Sequence, residues 1–229
     1  MSPAHFAVNF FVALFALIDP IGITPLFAAA TAGATTAGRR LTAAYLALFS
    51  LVFLAFLFLT GLWLLRFFGI GLAAFRIAGG VLLFLLGLDM ARGDLATTMG
   101  DAAGETSDLS ASAYARLRFE RLVVPFAVPL LVGPGAISTA VIYAGEAGRM
   151  GLAGEAAGLA VIAAVAITIL ASFWFAGLIT RVLGRVGTII VIRVLGLILC
   201  AMAVQFMLAG FADSTVGLMR ASASAPYPH

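Results

Sequence analysis

The sequence predicts an all-α membrane protein of about six transmembrane helices, built as two inverted three-helix repeats with discontinuous first and fourth helices. Three observations predict it. Six apolar runs have membrane-spanning length, proline–glycine breaks fall at matching places in two of them, and an arginine recurs in the third run of each half.

Composition sets the class. Of 229 residues, 63% are hydrophobic and 10% charged, and the mean hydropathy is +1.17. A soluble domain is roughly half apolar and about a quarter charged. The solvent consistent with this chain is lipid. A net charge of +3 and a pI near 9.6 do not signal nucleic acid, because the arginines stand singly or in small groups between apolar runs, as topology signals do. Every basic residue is arginine. The lone cysteine, Cys200, lies in an apolar run and reads as a small core residue. No basic region precedes the first apolar run, so that helix is expected to be retained rather than cleaved as a signal peptide.

A bilayer core needs about 20 apolar residues per helix. The runs are 5–30, 41–65, 71–90, 122–144, 152–179 and 188–211. Residues 92–121 carry Asp94, Asp101, Glu105, Asp108, Arg116, Arg118 and Glu120, and read as a solvated cytoplasmic loop. The organisation expected is therefore a first repeat over 1–91, this loop, a second repeat over 122–212 and a polar tail over 213–229, its end reading as disordered.

The halves match. Pro20-Ile-Gly-Ile-Thr24 aligns with Pro134-Gly-Ala-Ile-Ser138 at an offset of 114 residues, and Phe75-Arg76-Ile-Ala-Gly79 with Ile192-Arg193-Val-Leu-Gly196 at 117. Three helices per repeat is an odd number, so the second copy enters the membrane from the opposite side, as in many secondary transporters. Alternate connections hold Arg39, Arg40, Arg92, Arg116, Arg118, Arg121, Arg181 and Arg185, against Arg66, Arg149 and Arg220 on the other side, eight to three. This bias puts the first set in the cytoplasm and both termini in the periplasm of a multi-pass inner-membrane protein.

Two segments carry candidate chemistry. In the first run, Asn9 precedes Asp19-Pro20-Ile-Gly22-Ile-Thr24-Pro25, whose prolines each lack an N–H and clash with the preceding turn. A simple proline kink is one reading. The other is a broken helix with free backbone groups near the midplane, and an ionisable Asp19 within hydrocarbon favours it. In the fourth run, Pro129 is followed by Gly133-Pro134-Gly135, then Ser138 and Thr139. Small residues for close helix packing are one reading. The other is a half-helix whose N–H groups and positive dipole end seat an anion such as a carboxylate. Arg76 and Arg193 either snorkel to headgroups or pair with an acidic group, Asp19 among the candidates, or with carbonyls. Asp89 faces water or acts within the membrane, and Gln205 hydrogen-bonds across an interface.

Other classes lack their residues. There is no glycine-rich phosphate loop with lysine, no metal cluster with only His5 and His229 as histidines, and no serine beside a histidine base. An enzyme and a cofactor are not expected.

The segments 15–27, 129–139, 75–80 and 193–196 with Gln205 following resemble the signatures of MarC-type membrane proteins, over nearly the whole chain apart from the loop and the tail. That family is grouped with neutral amino-acid transporters of the SnatA type, so the resemblance implies small neutral amino acids such as glycine and alanine. Members vary between Asn and Asp before the first proline; this chain has Asp19. The expected protein is a secondary transporter with alternating access. Its substrate carboxylate would meet Gly133, Pro134 and Gly135 with Ser138 or Thr139, and its ammonium the segment of Asp19, Pro20 and Gly22 near Thr24. Arg76, Arg193 and Gln205 would be gating or structural. H+ and Na+ both suit the sequence as coupling ion, and import or export is left open. The alternatives are a channel or facilitator for small solutes, and a non-transporting scaffold or sensor.

Overall fold

A computed structural model describes residues 3–93 and 110–214. Among these the regular elements are helices: α1 (Pro3–Ile18), α2 (Pro20–Ala30), α3 (Thr36–Phe67), α4 (Leu72–Arg92), α5 (Ala111–Leu122), α6 (Pro134–Arg149), α7 (Leu152–Trp174) and α8 (Ala176–Ser214). An irregular helical segment, Val123–Leu131, joins α5 toward α6. Five stretches are long and apolar enough to cross a membrane: Pro3–Ala30, Thr36–Phe67, Leu72–Arg92, Leu152–Leu178 and Val186–Ser214. A sixth is the bent pair Ala111–Leu131 and Pro134–Arg149, which meet at 60°.

The breaks have local causes. Asp19, at φ 41°, stops α1 in a left-handed conformation, and Pro20 restarts the chain as the first residue of α2. Val124 and Val128 are extended because each precedes a proline. Gly184, at φ 63°, divides α8.

α4 and α8, the third apolar helices of the two halves, pack over their length. Their contacts are made by small residues at seven-residue spacing. A Cβ on Gly87 would lie 2.8 Å from the Gly196 carbonyl, one on Gly80 2.8 Å from the Ala203 carbonyl, and one on Gly210 2.7 Å from the Ala73 carbonyl. As the α4 number falls by seven, the α8 number rises by seven, so the two helices run antiparallel with their backbones in direct contact. Much of the remaining packing pairs elements across the halves, and α6 also lies on α7 within the second. α3 lies on α7, α2 on α8, α4 on α6, α1 on α7 and α3 on α5. Exchanging the halves turns α2 on α8 into α6 on α4 and α1 on α7 into α5 on α3, and returns α3 on α7 to itself, whereas α6 on α7 has no counterpart of like extent between α2 and α3. Two aromatic groups fill the core: Phe27, Phe126 and Phe173, with Phe27 and Phe173 stacked at 4.3 Å, and Phe10, Tyr143 and Phe58, with Phe10 and Tyr143 stacked at 4.6 Å.

Two sequence readings change. Residues 111–121 are helix α5, not solvated loop. Tyr114, Ala115, Arg118 and Leu122 form its buried face, and the Arg118 guanidinium donates to the Ala30 carbonyl at the end of α2. The spacing of that face is helical, but Arg116, Arg118, Glu120 and Arg121 hide it in a composition count. Residues 213 and 214, read as tail, belong to α8. The acidic residues Asp94, Asp101, Glu105 and Asp108, and the end of the chain from 215, lie outside the described residues.

Candidate functional site

The first break is closed on itself. The Asp19 carboxylate caps α2 by accepting the Gly22 N–H at 3.1 Å, which satisfies one of the donors every helix start leaves open. A Cβ on Gly22 would collide with that carboxylate. The Asp19 carbonyl accepts the Ile23 N–H at 3.1 Å, and the Pro20 carbonyl accepts the Thr24 hydroxyl at 2.7 Å. Thr24 is fully buried. Pro25 has no N–H to give the Ile21 carbonyl four residues back. The Ile21 carbonyl therefore lacks its usual intrahelical donor. Asp19 itself is half-buried, as is Asn9 on α1.

The second break is open at its backbone. Gly133, extended at φ −83° and ψ 174°, precedes Pro134 at the start of α6 and offers no side chain to cap it. The first intrahelical bond is Ile137 N–H to the Gly133 carbonyl at 2.9 Å. That leaves the N–H groups of Gly135 and Ala136 as donors of the first turn, at the positive end of a 16-residue helix. Residues 133–136 are all buried. Close contacts from two other helices produce that burial. Pro134 sits where a Cβ on Gly79 of α4 would be, and the Phe206 ring of α8 where a Cβ on Gly135 would be.

Ser138 repeats what Thr24 does. Its hydroxyl, 1% exposed, donates to the Pro134 carbonyl at 2.5 Å and lies 3.3 Å from the Gly135 carbonyl. In both halves, then, a hydroxyl four residues after the helix-starting proline bonds back to that proline's carbonyl. Its proton is spent on the backbone, so the donors left at this break are the Gly135 and Ala136 N–H groups rather than the Ser138 hydroxyl. Thr139 is half-buried one residue on.

The two arginines stand apart from Asp19. Arg76 Nη1 pairs with Asp213 Oδ2 at 2.5 Å, joining the start of α4 to the end of α8. The Arg193 guanidinium lies beside Gly93, with Nη2 3.0 Å from the position of a Cβ there. Gly93 ends α4 in a left-handed conformation, and the helix's negative end suits a cation. Each of these arginines thus reaches the far end of the helix packed against its own. Gln205 is half-buried on α8 beside Phe206, and Asp89 is exposed. Sequence reasoning missed Asp213, Phe206 and Arg118. The antiparallel small-residue register would have found the first, since it brings residue 213 alongside the first turn of α4.

α8 packs on α2 and also carries Phe206 against the start of α6. A cavity of about 260 Å³ lined by Phe6, Glu146, Arg149 and Met150 lies elsewhere, at the far end of α6. At 1.5 Å per residue that is roughly 20 Å from Gly135, and none of its lining residues belongs to a break. The breaks carry the backbone chemistry, and residues 133–136 of the second are buried beneath Phe206 and against Gly79.

Fold and breaks together define a polytopic α-helical integral membrane protein with interrupted spans. The model of the MarC family of integral membrane proteins matches residues 4–215, and the chain belongs to that family. It is 34% identical to a UPF0056 membrane protein of Pyrococcus abyssi over 87% of this chain and 91% of that one. It is 33% identical to the UPF0056 membrane protein YhcE of Escherichia coli, over 95% and 96%. A third relative, the UPF0056 membrane protein YvbG of Bacillus subtilis, is 30% identical over 90% and 93%. No solved structure matches the chain.

Proposed function

We propose that the protein is a secondary transporter of small neutral amino acids, of the glycine and alanine class, working by alternating access in a bacterial inner membrane. One observation carries the reading: the two helix starts differ in charge character. α2 begins on the Asp19 carboxylate, with the Ile21 carbonyl freed by Pro25, and α6 begins on the uncapped N–H groups of Gly135 and Ala136. An ammonium group suits the first and a carboxylate the second. Glycine and alanine carry both and little else, which fits breaks walled by glycine and proline.

The antiparallel α4–α8 pair and the pairs that exchange between the halves support inverted repeats that rock about α8. The burial of 133–136 favours a carrier over an open channel, because this end of the site needs a conformational change to meet solute. Without the buried Arg118 the arginine bias is seven to three, still favouring periplasmic termini. The reaction is translocation, not catalysis. Proton coupling would use the Asp19 carboxylate, and sodium coupling the Ile21 carbonyl with Asp19.

The test is exchange in liposomes loaded with unlabelled alanine, following uptake of labelled glycine with and without proton or sodium gradients. Saturable counterflow supports the carrier, and the gradient that drives accumulation names the ion. Folded protein in sealed vesicles that moves neither amino acid contradicts the substrate. Linear, unsaturable flux contradicts alternating access.

A further inference from the structure

Arg39 and Arg40 open α3, and both guanidinium groups come to rest on the turn between α7 and α8. Arg40 lies over the Trp174 ring, 4.6 Å from its centroid. The Arg39 guanidinium lies against Gly177, where a Cβ would be 2.5 Å from Nη2 and 2.9 Å from Cζ. The groups they touch are three residues apart in the chain, so two positive charges are held within about one helical turn of each other. Among the described residues, the carboxylates in ion pairs are Asp213 with Arg76 and Glu120 with Arg116, and neither belongs to this pair. Exposed apolar side chains flank the turn: Phe175, Leu178 and Val182.

From this we infer that the α7–α8 turn is a binding site for the phosphodiester headgroup of an anionic phospholipid. The headgroup lies between the Arg39 and Arg40 guanidinium groups, and its acyl chains run along Phe175 and Leu178. Three features select a lipid. Two adjacent cations with no carboxylate partner among the described residues attract an anion between them. Trp174 is a residue of the membrane–water interface. The apolar side chains beside the charges are arranged to meet acyl chains, as at basic pockets between transmembrane helices that hold anionic headgroups. The negative end of α7 attracts one cation unaided, but it gives no reason for a second beside it. The inference is independent of what the protein transports.

The experiment uses the full chain in phosphatidylcholine vesicles. Trp63→Phe leaves Trp174 as the reporter, the sequence having two tryptophans. Its fluorescence is quenched with brominated phosphatidylglycerol or with brominated phosphatidylcholine at equal mole fractions. The site predicts that phosphatidylglycerol is preferred about fivefold or more, the ratio expected of a single arginine at an anionic surface. The ratio should fall to near one in Arg39→Gln/Arg40→Gln. It should also fall in Gly177→Leu, which keeps both charges but displaces the Arg39 guanidinium. Equal quenching by the two lipids overturns the proposal, as does a preference that survives the double substitution. A preference untouched by Gly177→Leu overturns it too, because diffuse charge rather than this geometry would then be responsible. So does a preference erased by inorganic phosphate at matched ionic strength, which would mark a site for free anions.

Discussion

The Asp19 carboxylate and Gly22 share one volume: Oδ1 accepts the Gly22 N–H at 3.1 Å, and a Cβ at position 22 would run into Oδ2 and Cγ. The charge in the first break is therefore also the cap of the helix that follows it. Substitutions can separate the two roles. Asparagine retains an acceptor oxygen and tolerates the left-handed conformation. Asp19→Asn should keep the thermal stability of the detergent-solubilised protein while changing transport. Asp19→Ala loses the cap and strains the backbone, and should cost about 1–2 kcal/mol.

The α4–α8 seam makes a second prediction. A Cβ at Gly196 would lie 2.6 Å from the Ala91 nitrogen, and that backbone has no room to retreat. Gly196→Val should lower stability by about 2–3 kcal/mol, as overpacking does. Gly148 on α6 has nothing within 4 Å of its Cβ position. Gly148→Ala should leave stability unchanged or raise it by about 0.5–1 kcal/mol through helix propensity. Equal losses in the two variants would show that the seam is looser than described.

Arg118 and Arg116 are two residues apart on α5 but differ in burial. Arg118, 4% exposed, holds the Ala30 carbonyl, whereas Arg116 makes an exposed pair with Glu120 at 3.5 Å. Arg118→Ala should cost about 1.5–3 kcal/mol, the range for a charge-assisted hydrogen bond. Arg116→Ala should cost less than about 0.5 kcal/mol. Thermal melts of both variants check the contrast.

Arg76 and Asp213 close the end of the α4–α8 pair. Their side chains are 21% and 51% exposed, so solvent screens the interaction despite its 2.5 Å length. A double-substitution cycle with Arg76→Gln and Asp213→Asn should return a coupling below about 1 kcal/mol. A much larger value would mean that lipid or protein covers this pair.

Much of this was legible in the sequence because membrane solvent imposes simple patterns. Apolar length marked the spans, and proline with glycine marked both breaks at the residues where the backbone departs from helix. The matched pair of Thr24 and Ser138 was readable as an alignment, but not as a shared hydrogen bond to Pro20 and Pro134. What stayed hidden depends on three-dimensional neighbours. Asp19 could be recognised as an ionisable group in a span, but its capping of Gly22 requires the left-handed turn. Arg118 looked like a loop charge because a twelve-residue helix with one buried face has a polar average. Asp213 looked like tail because an apolar run ends before the helix does.

The central claim is that one solute is held by opposite charges at the two breaks. Competition for labelled glycine counterflow in proteoliposomes tests it most directly, with glycinamide, which lacks the carboxylate, and acetate, which lacks the ammonium, each set against alanine. The account predicts that alanine competes and that neither analogue does at the same concentration. Competition by glycinamide equal to that by alanine would show that the α6 start does not read a carboxylate. Equal competition by acetate would show that Asp19 does not read an ammonium.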